Sequence, residues 1–241
     1  GQKYKKIAGR NAGPKGAKNL HPAIASVDVS SGGVLALYGG DDYISNTRNW
    51  ARTARPAASP FKTYAAVAGM RHGFSLRSRL EGNAFTPDGG KTEVRNENDK
   101  SYGTVSLRQA IAKSINTAFV DMVSRTKNGP KAVVQAATDA GVPRGTGWDL
   151  NNRIALGTAE VSPLAQAGGY ATIADGGKKV TPHVVDKVVD QSGKVLYHAP
   201  SPSEQTIEAD ISHDVTYALR SVVEEGTGRI VADFDHQVAG K

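Results

Sequence analysis

The 241-residue chain contains no cysteine. That absence removes thiol catalysis and cysteine-ligated metal sites from consideration. Its six histidines, His21, His72, His183, His198, His213 and His236, are scattered, with no HExxH and no close pair. No zinc or other metal site is expected from that spacing, and no organic cofactor is suggested. No apolar run approaches the roughly 20 residues that cross a bilayer, and no charged-then-apolar leader opens the chain. Membrane attachment is therefore expected only through an N-terminal anchor outside this sequence.

What is present describes a folded chain. Hydrophobic residues make up 39% and charged residues 22%, the balance of a globular protein of one large domain or two small ones. The net charge is +7. Six cations, Lys3, Lys5, Lys6, Arg10, Lys15 and Lys18, fall among the first 18 residues. No aromatic-basic motif accompanies them, so no nucleic-acid partner is expected. Residues 1–20 are read as a basic linker or N-terminal arm, and residues 21–241 as the folded domain.

Residues 23–29 alternate apolar and polar, Ser30-Ser31-Gly32-Gly33 makes a turn, and Val34-Leu35-Ala36-Leu37-Tyr38 is a second strand. The pattern predicts a β-hairpin. Helices dominate from Val105 to Ser162. Ser106 and Gln109 form a capping box, and Leu107, Ile111, Ile115 and Phe119 recur every four residues. Further helices are expected over 130–140, stopped by Gly141, over 163–174, and over 211–225, capped by Ser212. A second hairpin is expected from 180–189 and 195–197, and a strand over 237–239.

Two polar constellations carry chemistry. Ser59 and Lys62 lie three positions apart, with Pro60 between them. Proline is tolerated in the first turn of a helix, so Ser59 reads as an N-cap or first residue. Lys62, on the same face, is within reach of its hydroxyl, as a serine nucleophile and lysine base require. The same pair recurs at Ser124 and Lys127, so spacing alone does not choose between the two. Ser114-Ile115-Asn116 is the second constellation. Residues two apart do not share a helix face, so Ser114 and Asn116 converge on one site only from a loop or a broken helix end.

A third element is Val238-Ala239-Gly240-Lys241. Ser-x-x-Lys, Ser-x-Asn and Lys-Thr-Gly, in that order, are the signature of the penicillin-binding and serine β-lactamase group. This sequence carries the first two and the lysine of the third. The likeness extends further. Residues 34–40 resemble the strand ending in Gly-Gly of the transpeptidase domains of bifunctional (class A) penicillin-binding proteins. Ala54-Arg55-Pro56-Ala57-Ala58-Ser59-Pro60-Phe61-Lys62 is similar to their Arg-x-Pro-Gly-Ser-x-Phe-Lys segment, with Ala58 where glycine or serine is frequent. Residues 155–164 resemble their Leu-Gly-x-x-Glu-Val-Thr-Pro-Leu stretch, residues 174–177 their Ala-Asn-Gly-Gly, and residues 225–228 their Gly-Thr segment.

The resemblance implies an α/β fold of α+β type, an antiparallel sheet flanked by helices with a helical subdomain, whose last strands lie beyond Lys241. A further C-terminal segment or second chain is expected to complete that sheet. It implies a D,D-transpeptidase that cross-links peptidoglycan stem peptides on the outer face of a bacterial membrane and is acylated by β-lactams. By the same resemblance Ser59 is the nucleophile, Lys62 its base, Ser114 a proton relay, Lys241 its electrostatic partner and Asn116 a substrate-binding amide. Glu160, Arg55 and Thr227 are read as structural or supporting. A D,D-carboxypeptidase, a β-lactamase of the same fold and a non-catalytic β-lactam sensor or scaffold remain open. No Glu-x-x-Leu-Asn lies between residues 117 and 240, so the deacylating glutamate of class A lactamases is not found.

Overall fold

The computed structural model describes residues 20–40, 44, 47–87 and 90–241. The basic arm expected over residues 1–20 lies outside them except for Leu20.

The first hairpin forms as its alternation predicts. Strands β1 (Ile24–Val27) and β2 (Val34–Tyr38) pair antiparallel, from Ile24 opposite Tyr38 to Val27 opposite Val34, with a bulge between Ser26 and Val27. Asp28 closes the turn, its carboxylate accepting from the Ser31 N–H and from the Ser30 and Ser31 hydroxyls. Two short antiparallel pairs then bring distant segments together: β3 (Arg55–Pro56) with β6 (Glu160–Val161), and β4 (Arg79–Glu81) with β5 (Thr104–Ser106). A last hairpin joins β7 (Lys187–Val189) and β8 (Val195–His198). Residues 180–186 are not strand, so this hairpin is shorter than the sequence pattern suggested. Among the described residues the sheet thus appears as four two-stranded antiparallel pairs rather than one continuous surface.

The core is helical, and its centre is α1 (Lys62–Arg71). Every side chain from Lys62 to Ala68 is buried, and α1 packs against α3 (Asn116–Arg125), α4 (Gly129–Asp139) and α6 (Ala209–Glu224). Its sequence, Lys-Thr-Tyr-Ala-Ala-Val-Ala-Gly, lacks a polar face because no face meets water. Helix α5 (Pro163–Ala174) lies beneath β1, with Ser162 as its N-cap.

Two helix boundaries differ from the sequence reading. The four-residue apolar period over 107–119 suggests one helix, yet α2 (Leu107–Lys113) stops at Ser114, whose φ of 58° is left-handed, and α3 begins at Asn116. Leu107, Ile111, Ile115 and Phe119 are all buried; the period reports burial and is blind to a one-residue break. At α6 the helix begins at Ala209 after Glu208, and Ser212 is a buried residue inside it rather than its cap. Residues 237–239 are not strand, since an extended segment becomes one only when a neighbouring ladder accepts its backbone groups.

Candidate active site

The nucleophile turn is built from both sides. Ser59 opens a 3-10 turn, Ser59–Phe61, with Ala58 as its N-cap and Pro60 at its second position; the α-helix proper begins at Lys62. Phe61 is fully buried and meets Tyr64 and Trp148 edge-on, at centroid distances of 5.2 and 5.3 Å. The Tyr170 hydroxyl lies 3.1 Å from the Pro60 carbonyl and 2.8 Å from Thr63 Oγ1. Behind the turn, the Ala58 N–H donates to the Gly157 carbonyl at 3.0 Å, and the Ala57 N–H to that of Ala159 at 2.9 Å. Gly157, at φ 84°, sits where any Cβ would strike the Ala58 backbone. Ala58 itself has φ 53° and ψ −149°, a region that only glycine enters without strain.

Around this turn the separated motifs converge. Lys62 Nζ is 3.2 Å from Ser59 Oγ, 3.1 Å from Ser114 Oγ, 2.8 Å from the Ser114 carbonyl oxygen and 2.6 Å from Asn116 Oδ1. Ser114 Oγ is 3.0 Å from Ser59 Oγ across 55 residues of sequence. The left-handed Ser114 makes this possible. An unbroken helix would turn Ser114 and Asn116 apart, whereas the break aims both side chains at one amine. Asn116 Nδ2 donates to the Arg95 carbonyl at 3.2 Å. Lys241 Nζ donates to the Ile111 carbonyl at 3.0 Å, near the C-terminus of α2, where the helix dipole favours a cation.

The electrostatics separate the two lysines. Lys62 is only 1% exposed. Burial first and the Lys241 cation second push its pKa down from 10.5 to about 7, with Glu97 opposing both. Lys241 is also lowered, by burial, to about 8. Near neutral pH a large share of Lys62 is therefore a free amine, able to accept a proton.

Of the five sequence-predicted residues, Ser59, Lys62, Ser114 and Asn116 thus meet at one place, and Lys241 lies near enough for its charge to lower Lys62. Ser124 and Lys127 do not. Ser124 Oγ donates to the Asp121 carbonyl at 2.7 Å, and Lys127 is exposed. Glu160 holds its place through the backbone, its N–H donating to Thr146 and its carbonyl accepting from the Trp148 indole. The Arg55 guanidinium lies over Trp50, and the Thr227 N–H donates to the Ala112 carbonyl. A cavity of about 960 Å³ lined by Trp50, Arg55, Pro56, Val161 and Gln166 adjoins the nucleophile turn but includes none of the five. Tyr170, Asn96 and Arg95 have no motif around them and were not found by sequence reasoning. Only the apposition of remote segments gives them a part.

The family described as the penicillin binding protein transpeptidase domain matches residues 23–241. Penicillin-binding protein 1A of Mycolicibacterium smegmatis is 32% identical over 228 residues, 89% of this chain and 28% of the relative. That of Aquifex aeolicus is 30% identical over 228 residues, 92% of this chain and 31% of the relative. The chain therefore spans under a third of the length of these curated relatives. Among solved structures, the PonA1 protein from Mycobacterium tuberculosis in complex with penicillin V superposes with a TM-score of 0.75 at 30% identity, covering 90% of this chain and 61% of that one.

Proposed function

The chain belongs to the penicillin-binding protein transpeptidase family, and from that premise we propose that it is a serine D,D-transpeptidase acting on peptidoglycan stem peptides at the outer face of a bacterial membrane. The observation that carries this reading is the buried Lys62 amine, depressed to about 7, held 3.2 Å from the Ser59 hydroxyl. A lysine can take a proton from serine only as the free amine, and burial keeps it so.

The steps follow from the distances. Neutral Lys62 accepts the Ser59 proton as Oγ bonds to the carbonyl carbon of the penultimate D-alanine. The developing oxyanion meets the Ser59 backbone N–H, which at the first position of its turn has no intrahelical partner. When the C–N bond breaks, a proton reaches the leaving D-alanine amine through Ser114, whose hydroxyl touches both Ser59 and Lys62. The acyl-enzyme is then resolved by the amine of a neighbouring stem peptide, which loses a proton by the reverse route. Lys241 supports the relay electrostatically, and the Asn116 amide pairs with the substrate's peptide groups. A β-lactam, whose strained amide mimics the same bond, acylates Ser59. The solved relative holding penicillin V supports that part of the reading.

The test is labelling with a fluorescent penicillin, followed by assay of D-alanine release and cross-linking with a stem-peptide donor and an amine acceptor. Covalent label on the wild type, none on Ser59→Ala, and acceptor-dependent product formation are expected. Equal labelling of the variant would overturn the assignment of Ser59. Product formed only with water would identify a carboxypeptidase instead.

A further inference from the structure

We propose that Asn96 is a positioning residue for acyl transfer: it locks segment 94–100 against the first turn of α3, so that the Arg95 carbonyl holds the Asn116 amide in one orientation. The inference rests on the reading of Ser59 as the acylated nucleophile.

Asn96 is 8% exposed, and its side-chain amide is fully committed. Nδ2 donates to the Gly82 carbonyl at 2.8 Å and to the Lys100 carbonyl at 2.9 Å. Oδ1 accepts from the Thr117 N–H at 3.1 Å and from the Thr117 hydroxyl at 3.2 Å. Two donors and two acceptor sites are all that an asparagine amide has. One side chain thereby ties three segments together: the end of β4, its own loop and the start of α3. The same loop is anchored at its beginning by Val94, whose backbone exchanges both hydrogen bonds with Phe85.

The consequence falls on the neighbouring residue. The Arg95 side chain reaches outward to ion pairs with Glu93 and Asp99, while its carbonyl accepts from Asn116 Nδ2. A carbonyl can only accept, so it selects the NH2 edge of the Asn116 amide. The oxygen edge is then left facing Lys62 Nζ at 2.6 Å. Without that carbonyl the amide is free to rotate by half a turn and present donors to the Lys62 amine, displacing the base from Ser59. Asn96 touches neither substrate nor nucleophile; its effect passes through Arg95 to Asn116.

The experiment is stopped-flow acylation by a chromogenic or fluorescent penicillin at saturating concentration. The rate is expressed per active site after end-point titration, so that misfolded molecules do not count. Asn96→Ala is expected to lower this rate about 10- to 100-fold, the scale of a misplaced catalytic group. In an Asn116→Ala background the same change is expected to add less than about 2-fold, because coupled residues do not add. Thr117→Val, which removes one of the four bonds and keeps the side-chain shape, should give a smaller loss with the same dependence on Asn116. It carries the test if Asn96→Ala does not fold. A per-site rate within about 2-fold of wild type in both variants, or losses that persist undiminished in the Asn116→Ala background, would overturn the proposal and leave Asn96 a structural residue. Failure of the parent reading is separately visible as label on Ser59→Ala.

Discussion

Ser59 and Ser114, 55 positions apart, place their hydroxyl oxygens 3.0 Å from each other, and the Lys62 amine lies within 3.2 Å of both. The contact depends on a single left-handed residue. Ser114 at φ 58° and ψ 40° ends α2, and the next helix starts two residues later. A side chain at such a position costs roughly 1 kcal/mol or more relative to glycine. The proposed proton relay therefore sits on a strained backbone.

Ser114→Gly separates those two effects. It removes the hydroxyl but suits the left-handed backbone, so acylation per active site should fall about 10²- to 10⁴-fold, the usual size of an acid–base contribution. The thermal midpoint should hold or rise. Ser114→Ala should lose the same activity without that gain. A glycine variant that acylates like wild type would remove Ser114 from the relay.

Acylation should follow a narrow bell in pH. Its acid limb reflects deprotonation of Lys62, at about 7, and its alkaline limb loss of the Lys241 cation, at about 8; the two limbs belong to the interacting pair. Lys241 lowers Lys62 and Glu97 raises it. Lys241→Met should accordingly move the acid limb to higher pH, and Glu97→Gln should move it lower. Rate profiles from pH 5.5 to 9.5 measure both shifts, and a Lys241→Met limb moving to lower pH would contradict the assignment.

Stability should respond to the same lysines in a defined window. In the folded state Lys62 and Lys241 release protons near 7 and 8, whereas in the unfolded chain they hold them to about 10.4. Between pH 7 and 10 the unfolded state binds more protons, so stability rises with pH there. Above about pH 10 the trend reverses, since burial raises Tyr64 and Tyr170 and tyrosines in the unfolded chain ionise first. In denaturant melts the stability of wild type relative to Lys62→Met should rise from pH 7 toward 10; parallel curves would show that Lys62 does not titrate differently on folding.

Ala58→Gly should stabilise the fold by about 1 kcal/mol, by relieving a backbone conformation that alanine resists. Gly157→Ala should do the opposite and more strongly, because its Cβ would collide with the Ala58 backbone and shift the nucleophile turn. Chemical denaturation compares the pair, and the acylation rate of Gly157→Ala should fall along with its stability. A destabilised Ala58→Gly would mean that Ala58 packing outweighs its strain.

The chain's own residues determine much of this protein without reference to coordinates. The hairpin of residues 24–38, the capping box at Ser106 and Gln109, and the helices over 130–140 and 163–174 follow from alternation, capping chemistry and proline position, all local properties. Ser59, Lys62, Ser114, Asn116 and Lys241 were readable because each lies in an ordered motif of few residues. Tertiary structure decided what local pattern cannot encode. The break at Ser114 is invisible to a hydrophobic period, because Ile111, Ile115 and Phe119 are buried on either side of it. The contact of the Lys62 amine with Ser114, the tie of Asn96 to Thr117, the Tyr170 contact with the Pro60 carbonyl and the seat of Lys241 on Ile111 join segments 21 to 130 residues apart. Burial and apposition set the dielectric and the partners of each group, and those belong to the folded chain alone.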